Sequence, residues 1–306
     1  MATPEVVILG GHGEGWHGLR LREALAAQGL SVARVGFDQC RFEIGHGAAV
    51  VRLGALEDLP RVVLVRSIPA GSFEQVTLRL GLLHALEALG IAVINTARAI
   101  ERCVDKSTTS FLLAQAGLPT PPTWVVETAD LARAVVAHEA AAGHALVLKP
   151  LFGAQGRGLR LVQGGDELPP PEEVGGVFYL QRFVGRAAAD GSGWRDHRVF
   201  VVGSDAVAAM TRRAAGWITN VGQGGVPEPL PAAGLLAEFA VAAAAAVGAD
   251  HAGVDLIEAP NGGLQILEVN SMPAWQGLQS VAPVDIAGRL ATLVARRLRP
   301  GHRVAG

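Results

Sequence analysis

Four short Val- and Ile-rich runs recur in the first hundred residues, at positions 4–10, 31–35, 61–65 and 91–94. Runs this apolar cannot face water on either side, so they read as strands of a sheet covered by helices on both faces. Helical patterns lie between them, over residues 19–28 closed by Gly29 and over residues 73–89. The alternation predicts a parallel α/β unit over about residues 1–100.

The pattern then changes. Asp105 is a good N-cap for a helix over 106–116, which Gly117 and Pro119 stop. Beyond Thr123 follow a strand, a helix over about 131–141, strands over 145–149, 159–162, 178–183, 198–202 and 206–211, an Ala-rich helix, a hairpin, and a helix over 283–297. The expected class is α/β with an α+β second half. A chain of 306 residues, half of them hydrophobic, supports two or three such units.

Composition narrows the partners. Twenty-six basic and 28 acidic side chains give no field to draw in nucleic acid, and no basic run with interleaved aromatics occurs. The most apolar segment, 232–247, contains Glu238 and is too Ala-rich for a membrane span, so a buried helix is expected there. The N-terminus lacks a signal-peptide pattern, and Cys40 and Cys103 are the only thiols, which points to the reducing cytoplasm. Small molecules are the expected partners.

Two glycine loops compete for attention. Gly13-Glu-Gly15-Trp-His-Gly18 matches G-x-G-x-x-G between a strand and a helix, with Asp38 after the next strand, and so admits a nicotinamide-dependent oxidoreductase. Against that reading, Gly10, Gly11 and His12 separate the triplet from the strand end where the tight turn belongs, and His12 and His17 read as solvated loop histidines. The second loop, Lys149-Pro-Leu-Phe-Gly153-Ala-Gln-Gly156-Arg-Gly158, follows a strand with a lysine at its end. Glycines let backbone N–H groups approach a phosphate, and Lys149 would add a point charge. An ordinary hairpin turn fits the loop equally well when it is taken alone.

The hairpin downstream tips the balance. Gly253-Val-Asp-Leu-Ile-Glu258 and Leu264-Gln-Ile-Leu-Glu-Val-Asn270 flank Asn261-Gly262, a strong hairpin signal. With those two as the turn, Ile257 faces Ile266 and Asp255 faces Glu268, while Glu268 and Asn270 share a strand face with Leu264 and Ile266. Opposed carboxylates repel unless a cation lies between them, and an Asp, Glu and Asn oxygen set suits Mg²⁺ that takes its remaining positions from substrate phosphates. A magnesium-nucleotide site is the economical reading.

Asp105-Lys106, residues 148–158, 181–183, 196–203 and 208–213, Thr219-Asn220, Gly224-Gly225, residues 253–255 and 267–273 occur in the order seen in ATP-grasp ligases. Over about residues 90–280 the chain resembles most the RimK-type branch, which joins L-glutamate to a carboxylate. The resemblance implies a Rossmann-like domain at 1–100, a lid or central subdomain at 101–180, and a C-terminal antiparallel-sheet subdomain with the magnesium site at 181–306. It places ATP on Lys106, Lys149, Gly153, Gln155, Gly156, Gly158, the hinge Gln181, Arg182 and Phe183, and Asp196 at the ribose. It puts magnesium, with manganese as the alternative ion, on Asp255, Glu268 and Asn270. Arg198, Arg212, Arg213 and Asn220 would face phosphate or the acyl intermediate. Simpler roles stand beside these: Arg198 as an ion-pair partner of Asp196, and Arg212-Arg213 as a solvated strand edge.

Two departures from the family pattern stand out: Arg182 where the family usually has Glu, and Met272-Pro-Ala-Trp275 after the metal asparagine. The implied reaction is an ATP-dependent carboxylate–amine ligation through an acyl phosphate, with L-glutamate as amine and a pterin-like, furan-like or peptide carboxylate as acceptor. Phosphoryl transfer of this kind needs positioned cations and amides more than a nucleophilic side chain, and no Ser-His-Asp arrangement is visible. A homo-oligomer and a silent nucleotide-binding module both remain compatible.

Overall fold

The computed structural model describes residues 3–299 apart from His12, Glu14, His46, Ala154, Gln155, Ala189 and Asp190. The four apolar runs form a parallel sheet in the spatial order Val32–Gly36, Val6–Gly10, Val62–Val65, Ala92–Ile94. Successive residues of Val6–Gly10 serve opposite cores, as strand alternation requires: Val6 and Ile8 meet Leu21 and Leu25 of the helix Gly15–Ala27, and Val7 and Leu9 meet the layer of Leu82, Leu83 and Leu86 from the helix Phe73–Ala88. Ser72 starts the latter helix with a capping box, its hydroxyl accepting from the Gln75 N–H at 3.3 Å while the Gln75 side chain accepts from the Ser72 N–H at 3.0 Å. The helix Ile286–Leu298 returns to the first core, where Ile286, Leu290 and Val294 pack with Leu21 and Leu25.

A second, antiparallel sheet runs Thr123–Val126, Phe178–Arg182, Leu146–Lys149, Arg160–Val162, backed by Ala132 and Val136 of the helix Ala129–Ala141. A third, of five strands, runs Val226–Leu230, Asp205–Ala214, Trp194–Val202, His251–Glu258, Leu264–Asn270, over the Ala-rich helix Gly234–Val247. The fold is thus mixed α/β with antiparallel sheets in its second half. No described helix is long and apolar enough to cross a membrane.

Some elements were not foreseen. Cys40–Gly45 and Ala48–Leu53 pair as a hairpin whose outer charges, Arg41, Glu43 and Arg52, bond to one another. Val226–Leu230 carries Pro227 and Pro229, which a sheet tolerates because this strand is an edge. A separate helix, Ala97–Val104, precedes the one capped by Asp105.

The hairpin differs from its expected register. Ile257 faces Gln265 and Leu256 faces Ile266, so the connection is longer than Asn261-Gly262 alone. A bulge then intervenes, leaving Leu267 unpaired and restoring Asp255 opposite Glu268. Its consequence for side chains is direct: Ile266 and Val269, three residues apart, both enter the core over the Ala-rich helix, so Ile266 does not share the face of Glu268.

Candidate active site

On the face of the five-stranded sheet away from the Ala-rich helix, each central strand changes from apolar to charged along its length. Val202 and Phe200 lie in the first core and Arg198 and Asp196 follow on the same side; Ala208 and Met210 likewise precede Arg212. Register then sets the charges in rows. Asp196 faces Arg212, and Arg198 faces Asp255, which faces Glu268.

The result is a buried ion-pair network. Arg198 grips Asp255 with both arms, Nε to Oδ1 and Nη2 to Oδ2, each at 2.7 Å. Arg212, only 2% exposed, holds both oxygens of Asp196 and also reaches Asp255 Oδ2 at 3.0 Å. Burial works against the Asp255 carboxylate, yet Arg198 and Arg212 outweigh it and hold its pKa below the ordinary value. Arg198 therefore pairs with Asp255 rather than Asp196, and Asp255, expected as an open metal ligand, is enclosed by two guanidinium groups.

Between this sheet and the lid sheet lies a cleft of about 920 Å³. The lid sheet contributes Val147 and Leu159, the other sheet Ile257 and Leu267, so two apolar walls face across it. Leu267 reaches the cleft through the bulge, a contribution that strict strand alternation hides.

Lys106 and Lys149 meet at the glycine loop. Lys106 Nζ donates to Gly153 O at 2.8 Å and to Leu151 O at 3.3 Å, fastening the loop to the helix capped by Asp105. Lys149 Nζ donates to Gln181 Oε1 at 2.6 Å, and Gln181 in turn donates to Thr123 and Tyr179. Burial pulls the Lys149 pKa down to about 8, with Glu268 and Asp255 pulling the other way. Burial also lowers Lys106, again opposed by Glu268. Glu268 itself makes no hydrogen bond or ion pair among the described residues, and is the open carboxylate of the cleft.

Other expected residues fall into place or out of it. Gly153, Gly156, Arg182, Phe183 and Asn220 line the cleft with Lys106, Lys149, Gln181, Asp196, Arg212, Asp255 and Glu268, whereas Arg198 and Asn270 lie outside the lining. Gly158 flanks the loop with φ +74°, outside the lining, and Gln155 lies outside the described residues. Arg182 turns its guanidinium away to Glu139, at 2.8 Å, on the helix behind. The Arg182 and Phe183 N–H groups bond Pro122 O and Ala145 O, so neither expected hinge donor is open. Val184, next along the chain, also lines the cleft, and its apolar side chain gave no sign of this in the sequence. Arg213 points to the far side of its strand and grips Glu228 at 2.9 and 3.1 Å, and it is not brought to the cleft. His17 is no solvated loop residue: it sits in a helix, and its Nε2 accepts from the Trp275 N–H at 3.0 Å. His12 lies outside the described residues.

The donor chemistry fits a hard divalent cation in part. Glu268 is open, and Asn270 spends its amide on Gly253 O at 3.4 Å, which leaves its oxygen for other use. Asp255 would serve only by sharing its oxygens with the arginines.

The sequence profile of the RimK-like ATP-grasp domain matches residues 103–294. The chain is 39% identical over 206 residues, 65% of its length and 68% of the relative's, to the tetrahydromethanopterin:alpha-L-glutamate ligase of Methanococcus maripaludis. It is 34% identical over 257 residues, 73% and 76% of the two lengths, to the protein of that description in Methanosarcina acetivorans. The chain belongs to the RimK-like ATP-grasp family. As such it is an ATP-dependent ligase, and nicotinamide chemistry at the Gly13–Gly18 loop is not its reading. The fold of this RimK-like protein also matches the ATP-grasp ligase PsnB, solved with a precursor variant, Mg and ADP, at a TM-score of 0.71 and 21% identity over 98% of this chain and 100% of that one.

Gly156 gives the loop a sharp test. It has φ +68°, and an added Cβ would come within 2.4 Å of Asn220 Oδ1 and 2.9 Å of Gln223 Nε2. In Gly156→Val both the left-handed backbone and the contact with the 218–223 segment are lost to strain of about 1–3 kcal/mol. The fold should survive with ATP–Mg affinity weakened about tenfold or more, each 1.4 kcal/mol being one decade. Calorimetric titration measures it, and native affinity in the variant would make the loop an ordinary turn.

Proposed function

We propose that this ATP-grasp ligase transfers the γ-phosphoryl group of ATP to a substrate carboxylate and releases phosphate when the amine of L-glutamate attacks the acyl phosphate. The carboxylate belongs to a small molecule such as a pterin-like or furan-like cofactor, or to a peptide. The observation that carries the reading is the unpaired Glu268 carboxylate facing Lys106 and Lys149 beneath the glycine loop. The relatives' description as tetrahydromethanopterin:alpha-L-glutamate ligases supports the choice of amine and of a pterin-like acceptor.

Each residue has a part in this reading. Lys106, Lys149 and the N–H groups around Gly153, Gly156 and Gly158 bind the phosphates, and the apolar walls with the 181–184 hinge take the adenine. Arg212 orients Asp196 toward the ribose, while Arg198 and Asn220 serve the transferring phosphoryl group. Glu268 and Asn270, joined by Asp255, hold Mg²⁺ or Mn²⁺, which when bound neutralises phosphate charge. The same reading divides the chain at 1–100, 101–180 and 181–306 and places the protein in the cytoplasm.

An acyl phosphate is intercepted by hydroxylamine as a hydroxamate. With ATP, magnesium and a panel of carboxylates, hydroxamate should form only when all three are present, and phosphate release should become glutamate-dependent without hydroxylamine. ATP–Mg binding with neither product for any carboxylate would make the chain a silent nucleotide-binding module.

A further inference from the structure

Strand alternation gives the lid sheet two unlike faces. Phe178 and Leu180 enter the core over Ala132 and Val136 together with Leu146 and Leu148, so Tyr179, Gln181 and Lys149 face the opposite way. Thr123 joins them, because it pairs directly with Gln181 on the other side of that strand. A polar layer thus lies on the cleft side of this sheet, with Tyr179 and Gln181 each only 1% exposed. Polar groups buried to that degree must satisfy one another.

Donor chemistry fixes how they do so. Lys149 Nζ can only donate, so the Gln181 atom 2.6 Å from it is the oxygen. The Thr123 hydroxyl gives its proton to Pro121 O at 2.8 Å, and therefore accepts from Gln181 Nε2 at 3.0 Å. The other amide proton goes to Tyr179 Oη at 3.2 Å. Both donors of Gln181 are then engaged and its oxygen is turned to Lys149, so the side chain has nothing to offer the ring that the hinge would hold.

A lysine gains from such a partner. Its four-carbon stem is flexible, so an ammonium that is to meet phosphate binds it better when held in place before the ligand arrives. An amide oxygen holds the ammonium without the negative charge that would compete with phosphate, and it takes one of three N–H groups. The frame reaches further. Tyr179 Oη and Ser110 Oγ lie 2.7 Å apart, and Ser110 belongs to the helix Lys106–Gln115, whose first residue is the other lysine of the cleft. One chain of hydrogen bonds therefore runs from the helix that carries Lys106 to the ammonium of Lys149.

We infer that Gln181, braced by Thr123 and Tyr179, is a positioning residue that holds Lys149 for the nucleotide phosphates and does not read the base through its side chain. The inference deepens the ligase reading above and rests on its placing of phosphate at Lys149. Gln181→Met keeps the volume, and Thr123 and Tyr179 retain Pro121 O and Ser110, so the fold should survive. Calorimetry with ADP–Mg and a ligand-observed resonance titration with adenosine separate phosphate from base. ADP–Mg affinity should fall about tenfold, the scale of a hydrogen bond to a charged group, with adenosine affinity within twofold of native. Lys149→Met should lose at least as much for ADP–Mg. Adding Gln181→Met to it should then change affinity by less than twofold, because the group being positioned is gone. Should Gln181→Met fail to fold, Thr123→Val carries the test, with ADP–Mg weakened threefold or more and adenosine unmoved. Native ADP–Mg affinity in whichever variant folds would overturn the inference, as would an equal loss for adenosine, or losses that multiply in the double variant. Native affinity in Lys149→Met would remove phosphate from Lys149 and the inference with it. A coupled loss in a protein that releases no phosphate for any carboxylate would uphold the positioning role and remove the ligase chemistry alone.

Discussion

Arg212→Leu should cost about 3–5 kcal/mol of folding stability, the range for removing one member of a buried ion pair. Asp196 is 6% exposed and both of its oxygens bond to Arg212, so the substitution leaves a charge inside the protein with no partner. Asp255 fares better, because Arg198 still grips it at 2.7 Å on both oxygens. Urea denaturation checks the value through the midpoint, with the slope unchanged. The double substitution Arg212→Leu with Asp196→Leu removes both charges and should regain most of the loss, since apolar replacement of a whole buried pair is often neutral. A single variant as stable as native would mean that the network carries none of the fold's stability.

Glu268→Gln should behave in the opposite manner, with stability nearly level and turnover lost. Two opposed carboxylates would normally make such a change stabilising. Here Asp255 already has Arg198 and Arg212 against it, so the nucleotide-free protein should change by less than about 1 kcal/mol, the usual size of effects without a buried partner lost. Catalysis is another matter, because a neutral amide cannot supply the anionic oxygen that a divalent cation requires. Turnover should fall by about two to four decades, the scale of losing an electrostatic contributor to phosphoryl transfer. Thermal melting without nucleotide and phosphate release with it make the pair of measurements. A destabilised protein with near-normal turnover would return Glu268 to a structural role.

The parallel sheet was legible in the sequence because its two central strands are buried at all positions, and four apolar runs can mean little else. Asp105 declared its helix by the same directness, its carboxylate accepting from the Ser107 N–H at 2.8 Å. The facing of Asp255 and Glu268 was also legible, although the route to it was faulty: a longer turn shifted the register and the bulge at Leu267 shifted it back. Bulges depend on three-dimensional strain in the sheet and leave no mark in local composition. Ile257, Leu267 and Val184 escaped notice because an apolar residue lining a cleft reads like one lining a core. Arg213 was misplaced in space by one residue of strand alternation relative to Arg212, since a pair of adjacent arginines gives no sign of which one faces inward. The reach of Arg198 to Asp255 instead of Asp196 follows from strand pairing between residues 57 apart, which no short stretch of sequence records.

The packing of Ile286–Leu298 against Leu21 and Leu25 has a consequence for the order of synthesis. A ribosome delivers the first sheet long before it delivers the helix that covers part of one face. Throughout that interval the face made by Val6, Ile8 and Leu64 has only the helix Gly15–Ala27 against it, while the opposite face is already sheltered by Phe73–Ala88. The first hundred residues by themselves therefore leave open to water the apolar ground that Leu290 and Val294 cover in the whole chain.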